Sequence, residues 1–129
     1  MVKPVAVNHS AFRITDPEKT RKFYEGILGL KVMTNRPNFP QGGYWFSAGN
    51  TAIHVIQSKE GEVVPPGEPD PVGPHIAIEV EDFDEALKTL RANGIHVVLP
   101  EDAGIRVVAG RQMWVHDPDG NTIEIRTEK

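Results

Sequence analysis

The stretch GNTAIHVI, residues 49–56, is nearly repeated as GNTIEI at residues 120–125. Each copy opens on a Gly-Asn turn signal and runs on through β-branched residues, the pattern of a short strand. Each sets one ionisable residue among apolar ones, His54 in the first and Glu124 in the second. One residue fewer after the threonine brings His54 over Glu124. A second pair of strings precedes these. HSAFRITD (9–16) lies over HIAIEVED (75–82), with His9 over His75, Ala11 over Ala77 and Asp16 over Asp82, all offset by 66 residues. Two repeated anchors in the same order point to an internal duplication.

The segments between the anchors agree. VAVNHSAFRI (5–14) alternates like a strand. Asp16 can cap a helix whose first residue is Pro17, and Thr20, Phe23, Tyr24 and Ile27 form its apolar stripe. Gly29 is placed to end it. Strands are expected at LKVMT, GYWFSA and TAIHVIQ. Residues 58–74 contain five prolines and read as a connector. The pattern then restarts: a strand at HIAIEV, a helix capped by Asp82 with the stripe Phe83, Ala86, Leu87 and Leu90, a stop at Gly94, and strands at IHVVL, RQMWVH and NTIEIRT. A loop carrying Gly104 and Gly110 is expected between the first two of these. The chain therefore reads as α+β, two βαβββ modules at 5–57 and 75–127 joined by a linker at 58–74.

With 129 residues, 39% of them apolar and 25% charged, the composition is that of one ordinary globular domain. A net charge of −4 without a basic cluster argues against a nucleic-acid partner. No apolar run approaches the roughly 20 residues of a membrane span, and the N-terminus carries no signal-peptide core. The chain has no cysteine, so any metal must be held by nitrogen and oxygen. A cytoplasmic location is the expectation.

Strand alternation puts His9, Ala11 and Arg13 on one face and Ser10, Phe12 and Ile14 on the other. It likewise separates His75, Ala77 and Glu79 from Ile76, Ile78 and Val80. The apolar faces should receive the helices, which leaves His9, His54, His75 and Glu124 on the opposite faces. If the modules face each other, these four groups converge. Three imidazoles and a carboxylate suit Fe, Mn, Ni, Co or Zn, and two histidines with Glu124 would leave positions open for substrate. A single strand histidine is more often structural than a ligand; the repeated placement is what favours a site. Trp45 and Trp114 occupy similar places in the two halves and are expected in the core. His96 and His116 are read as surface or structural residues, and the turn DPDG after His116 as fold-determining.

NHSAFRITDPEKTRKFYEGILGLKV, PHIAIEVEDFDEAL and VHDPDGNTIEI together resemble the vicinal oxygen chelate superfamily, which includes glyoxalase I, extradiol dioxygenases, fosfomycin- and bleomycin-resistance proteins. The resemblance implies curved mixed sheets around one divalent metal, with ligand positions matching His9, His54, His75 and Glu124. It implies a small-molecule substrate chelating the metal through adjacent oxygens, and a homodimer with sites shared between chains. Glyoxalase I enzymes share H-x-x-x-R, which makes Arg13 a candidate anion contact, but normally carry glutamate where this chain has His54. The leading expectation is a metal-dependent lyase or isomerase in which Glu124 and His54 handle protons and Arg13, Tyr44 and Arg111 meet substrate. An Fe²⁺ ring-cleaving dioxygenase and a non-catalytic small-molecule (antibiotic-type) binding protein are the alternatives.

Overall fold

The computed structural model describes residues 1–59, 67–107 and 109–128. The chain divides into two compact units, Met1–Glu60 and Gly61–Lys129. Each is a helix packed on one face of a mixed sheet.

In the first unit, β1 (His9–Ile14) leads to α1 (Pro17–Arg21), and β2 (Lys31–Val32), β3 (Gly43–Ala48) and β4 (Thr51–Gln57) follow. The sheet order is β1-β4-β3-β2, with β1 parallel to β4 and the other pairs antiparallel. Asp16 caps α1 as expected, accepting from the amides of Glu18 (3.0 Å) and Lys19 (3.3 Å). The helix then widens into a π-helical segment, Lys22–Ile27, where Gly26 contributes little helix propensity. Its stripe is buried at Thr20, Phe23 and Tyr24 against Ile14, Phe46, Ile53 and Val55. The Tyr24 and Phe46 rings stack 5.3 Å apart.

In the second unit, β5 (Ile76–Glu79), α2 (Phe83–Ala92), α3 (Pro100–Ala103), β6 (Arg111–His116) and β7 (Thr122–Thr127) give the sheet order β5-β7-β6. The central strand β7 is parallel to β5 and antiparallel to β6. Asp82 caps α2 through the Glu85 amide at 3.0 Å. Phe83 and Leu90 pack with Met113, Val115, Ile123 and Ile125 in the core. The expected turn after His116 is built around Asp117. Its carboxylate accepts from the amides of Asp119 and Asn121 and from the Asn121 side chain, at 2.8–2.9 Å.

Three expected strands are shorter than the pattern suggests. The first begins at His9 rather than residue 5, because its partner β4 begins at Thr51, whose hydroxyl donates to the Asn8 carbonyl at 2.9 Å, and has no residue opposite 5–7. LKVMT contracts to Lys31–Val32. IHVVL contracts to one bridge, Val98 to Trp114, with both amide–carbonyl distances 2.9 Å. Pro100 starts α3 two residues later, and the Asp102 carboxylate takes the Leu99 amide at 3.0 Å, so the chain turns away from the sheet. The loop expected there contains this short helix. Of the expected linker, residues 60–66 lie outside the described residues.

Gly43, which opens β3, and Gly110, just before β6, are required by close approach. Their φ angles are +151° and +69°, and a Cβ on either would sit 2.0 Å from a backbone oxygen, of Val55 and Thr127 respectively.

Candidate metal and substrate site

In each unit the face turned away from the helix carries the residues singled out by the repeat. The register is the same in both. Ala11 and Trp45 flank His54 on β4, and Ala77 and Trp114 flank Glu124 on β7.

In the first unit, the His54 ring lies between two others. It stacks on His9 at 4.0 Å and 14°, and on Trp45 at 4.0 Å and 3°. His9 Nδ1 lies 2.7 Å from Asn8 Oδ1. When that nitrogen carries the proton and donates it, Nε2 keeps a free lone pair, the form a metal ligand needs. Burial, then the neighbouring His9 and the Arg36 guanidinium, pushes the His54 pKa below its ordinary value. His54 is therefore a neutral imidazole near pH 7, with one nitrogen able to accept a proton or hold a cation. Trp45 is half-buried and forms the wall of a pocket of about 210 Å³ with Arg36, Phe39, Gln41, His54 and Ile56. It belongs to this face rather than to the core.

In the second unit, Glu124 is 6% exposed on the central strand. Its Oε1 accepts from Trp114 Nε1 at 3.1 Å, and its Oε2 lies 3.4 Å from Gln112 Nε2. His75 stands just before β5. Its Nδ1 lies 2.8 Å from the Gly73 carbonyl, which can only accept, so Nδ1 carries a proton. Its Nε2 lies 3.3 Å from Glu124 Oε1. A neutral His75 would then set a lone pair against a carboxylate oxygen. That arrangement is satisfied by a proton or by a cation. The donor set fits a divalent ion: an imidazole in the right tautomer, a buried carboxylate, and further hydrogen bonds that orient both. Among the described residues no three metal-ligating side chains form one group. The pairs His9–His54 and His75–Glu124 each belong to one unit.

The remaining candidates divide. Arg13 lies on the His9 face of β1, exposed. Tyr44 faces the helix, its hydroxyl donating to Glu18 and its ring under Arg21 at 5.3 Å. Arg111 also faces its helix, paired with Asp84 at 2.8 Å and stacked over Phe83 at 4.2 Å. Tyr44 and Arg111 therefore lie on the opposite sheet faces from His54 and Glu124. Alternation distinguishes them, since each lies an odd number of residues from the tryptophan that flanks the site, Tyr44 one from Trp45 and Arg111 three from Trp114. The same alternation reveals two residues that sequence reasoning missed, Gln112 and the Trp114 N–H. The Gly73 carbonyl, held in a turn by the Asp70 carboxylate on the Val72 amide (2.9 Å), carries no sequence signal of its own. His96 is exposed and paired with Glu68 at 2.6 Å; the Nε2 of His116 is buried without a hydrogen-bond partner.

No helix among the described residues is long and apolar enough to cross a membrane. Residues 6–125 match the model of the Glyoxalase/Bleomycin resistance protein/Dioxygenase superfamily. Lactoylglutathione lyase of Neisseria meningitidis is 31% identical over 131 residues, covering 94% of this chain and 89% of that one. The metallothiol transferase FosB of Staphylococcus epidermidis is 28% identical, covering 95% and 81%. Among solved structures, a glyoxalase family protein from Bacillus anthracis aligns over 100% of both chains with a TM-score of 0.76 at 24% identity. The fosfomycin resistance protein FosX of Mesorhizobium loti covers 98% and 92% with a TM-score of 0.68 at 19% identity. The duplicated strand pattern, the two helix-free faces and the full-length sequence match agree: this chain belongs to the Glyoxalase/Bleomycin resistance protein/Dioxygenase superfamily.

Proposed function

We propose that the protein is a divalent-metal-dependent lyase or isomerase acting on a small substrate that presents two adjacent oxygens. The observation carrying this reading is the His75 Nε2–Glu124 Oε1 approach, two acceptors held together by the Gly73 carbonyl and the Trp114 N–H. His9, His54, His75 and Glu124 are read as the ligands, and Fe, Mn, Ni, Co and Zn all suit such a set. The ion would supply Lewis acidity, stabilising negative charge on the substrate oxygens. Glu124 is oriented to hold or pass a proton at its carboxylate, and the neutral His54 can accept one at its ring nitrogen. Arg13 is read as a contact for a substrate anion; Tyr44 and Arg111, bound to their helices, leave the proposed substrate set. Relatives named lactoylglutathione lyase favour a lyase over other reactions of the superfamily.

The test is calorimetric titration of metal-free protein with each of the five ions. Wild type is expected to bind, and His75→Ala and Glu124→Ala to lose upwards of about 100-fold in affinity. Wild-type affinity in both variants overturns the ligand assignment. A ring-cleaving dioxygenase is the second reading, favoured by the aromatic wall beside His54; oxygen uptake with catechols under Fe²⁺ would replace the first reading with it. We also read the protein as a cytoplasmic homodimer with shared sites, a reading that a monomeric mass in solution overturns.

A further inference from the structure

We propose that the first unit's pocket, lined by Arg36, Phe39, Gln41, Trp45, His54 and Ile56, binds the carboxylate of a planar aromatic acid, with Arg36 as the anion contact. The inference deepens the reading of this face as a substrate site and rests on it for the identity of His54's neighbour.

Arg21, Arg111 and Arg126 each have a carboxylate within 3.3 Å. Arg36 is half-buried and pairs with no carboxylate among the described residues. One Nη donates to the Gln41 carbonyl at 2.8 Å, while Nε is shut away from water with no hydrogen-bond partner. A partly desolvated guanidinium without a counter-charge is costly, and an anion in the pocket offsets that cost. The flat guanidinium suits a carboxylate, which it meets through paired N–H groups.

The walls give the rest of the ligand. Arg36 lies over the Phe39 ring at 5.1 Å, Phe39 lies 6.2 Å from Trp45 at 46°, and Trp45 stacks on His54. Phe39 and Ile56 are among the exposed large apolar residues, at 47% and 39%. Aromatic faces and an aliphatic rim favour a flat apolar body. A volume of about 210 Å³ suits one ring with its carboxylate and falls below the roughly 300 Å³ at which drug-sized pockets begin. Gly43 leaves room beside the guanidinium: a Cβ there would lie 3.3 Å from the Arg36 Nη2, a tight contact.

The experiment uses EDTA-treated full-length protein, so that ligand selectivity is read apart from metal binding. Benzoate, benzamide and cyclohexanecarboxylate are titrated by calorimetry or by chemical-shift perturbation. Benzoate is expected to bind best, losing when the charge is removed (benzamide) or the ring is no longer flat (cyclohexanecarboxylate). Arg36→Gln should weaken benzoate by about 10- to 100-fold while leaving benzamide unchanged. Arg36→Lys, which keeps the charge and protects against a misfolded loop as explanation, should recover part of the loss. Equal binding of benzoate and benzamide, wild-type benzoate affinity in Arg36→Gln, or no benzoate binding at millimolar concentration each overturns the proposal. If metal titration fails while benzoate selectivity holds, the proposed metal function falls and this pocket stands; the reverse result removes the pocket alone.

Discussion

The two units place a tryptophan and an ionisable residue side by side in the same register, and use the pair differently. Trp45 offers His54 the face of its ring, in a parallel stack at 4.0 Å. Trp114 offers Glu124 its N–H, at 3.1 Å. A stack fixes the plane of an imidazole but leaves its nitrogens free within that plane. A hydrogen bond fixes one oxygen of a carboxylate and leaves the other for a second partner. The outer strands are alike, with Ala11 and Ala77 both exposed; the difference lies in the inner strands, where Trp45, Ala52 and His54 are half-buried and their counterparts Trp114, Thr122 and Glu124 are buried. One backbone plan thus yields an adjustable half and a rigidly oriented half. Duplication copies the register, while the chemistry at each register position is free to diverge.

The largest effect should come from what the halves share. Gly43→Ala and Gly110→Ala each force a Cβ to within 2.0 Å of a carbonyl oxygen, and each should lower unfolding free energy by about 3 kcal/mol or more in urea titrations. If one is tolerated, the entries to β3 and β6 are not equivalent. Next comes the tryptophan contrast. Trp114→Phe keeps a ring but removes the donor, and should weaken metal binding by about 10- to 100-fold. Trp45→Phe keeps a stacking face and should change the same affinity by less than about threefold. Equal losses would erase the distinction between donor and stack. The helix caps are a smaller and more symmetrical test. Asp16→Ala and Asp82→Ala should each cost about 1 kcal/mol of stability, since each carboxylate caps the first turn of its helix.

The smallest effect concerns pH. Burial, opposed by Asp117 and Glu68 and reinforced by His96, lowers the His116 pKa in the folded protein. The unfolded chain then binds the proton more readily, so stability is full above the ordinary histidine pKa of about 6.5 and declines as pH falls below it. His116→Asn should flatten that part of the stability–pH curve. An unchanged slope would assign it to another group.

The strongest sequence signals were the ones that concerned burial and turns. Asp16 and Asp82 cap their helices, the stripes Thr20–Phe23–Tyr24 and Phe83–Leu90 are buried, and His54 and Glu124 lie on helix-free faces. Those features follow from local periodicity. Strand length depends on a partner being present, which is why residues 5–7 and most of 95–99 fall outside the sheets despite their composition. The side chains at the site were harder still. Tyr44 and Arg111 have the chemistry of substrate contacts, but the register turns them toward Glu18 and Asp84. Trp45 has the composition of a core residue, yet it lines a pocket, because its partner across the ladder is His54.

The Gly73 carbonyl has a consequence for how quickly a metal could be captured. Because it holds the Nδ1 proton of His75, the ring need neither exchange tautomers nor rotate before Nε2 is presented. Capture would therefore shed at most the single proton shared between Nε2 and the Glu124 oxygen. Titrations in buffers of different ionisation enthalpy should report one proton or none released at this pair, while the readiness of the ring depends on a turn that the Asp70 carboxylate holds in place.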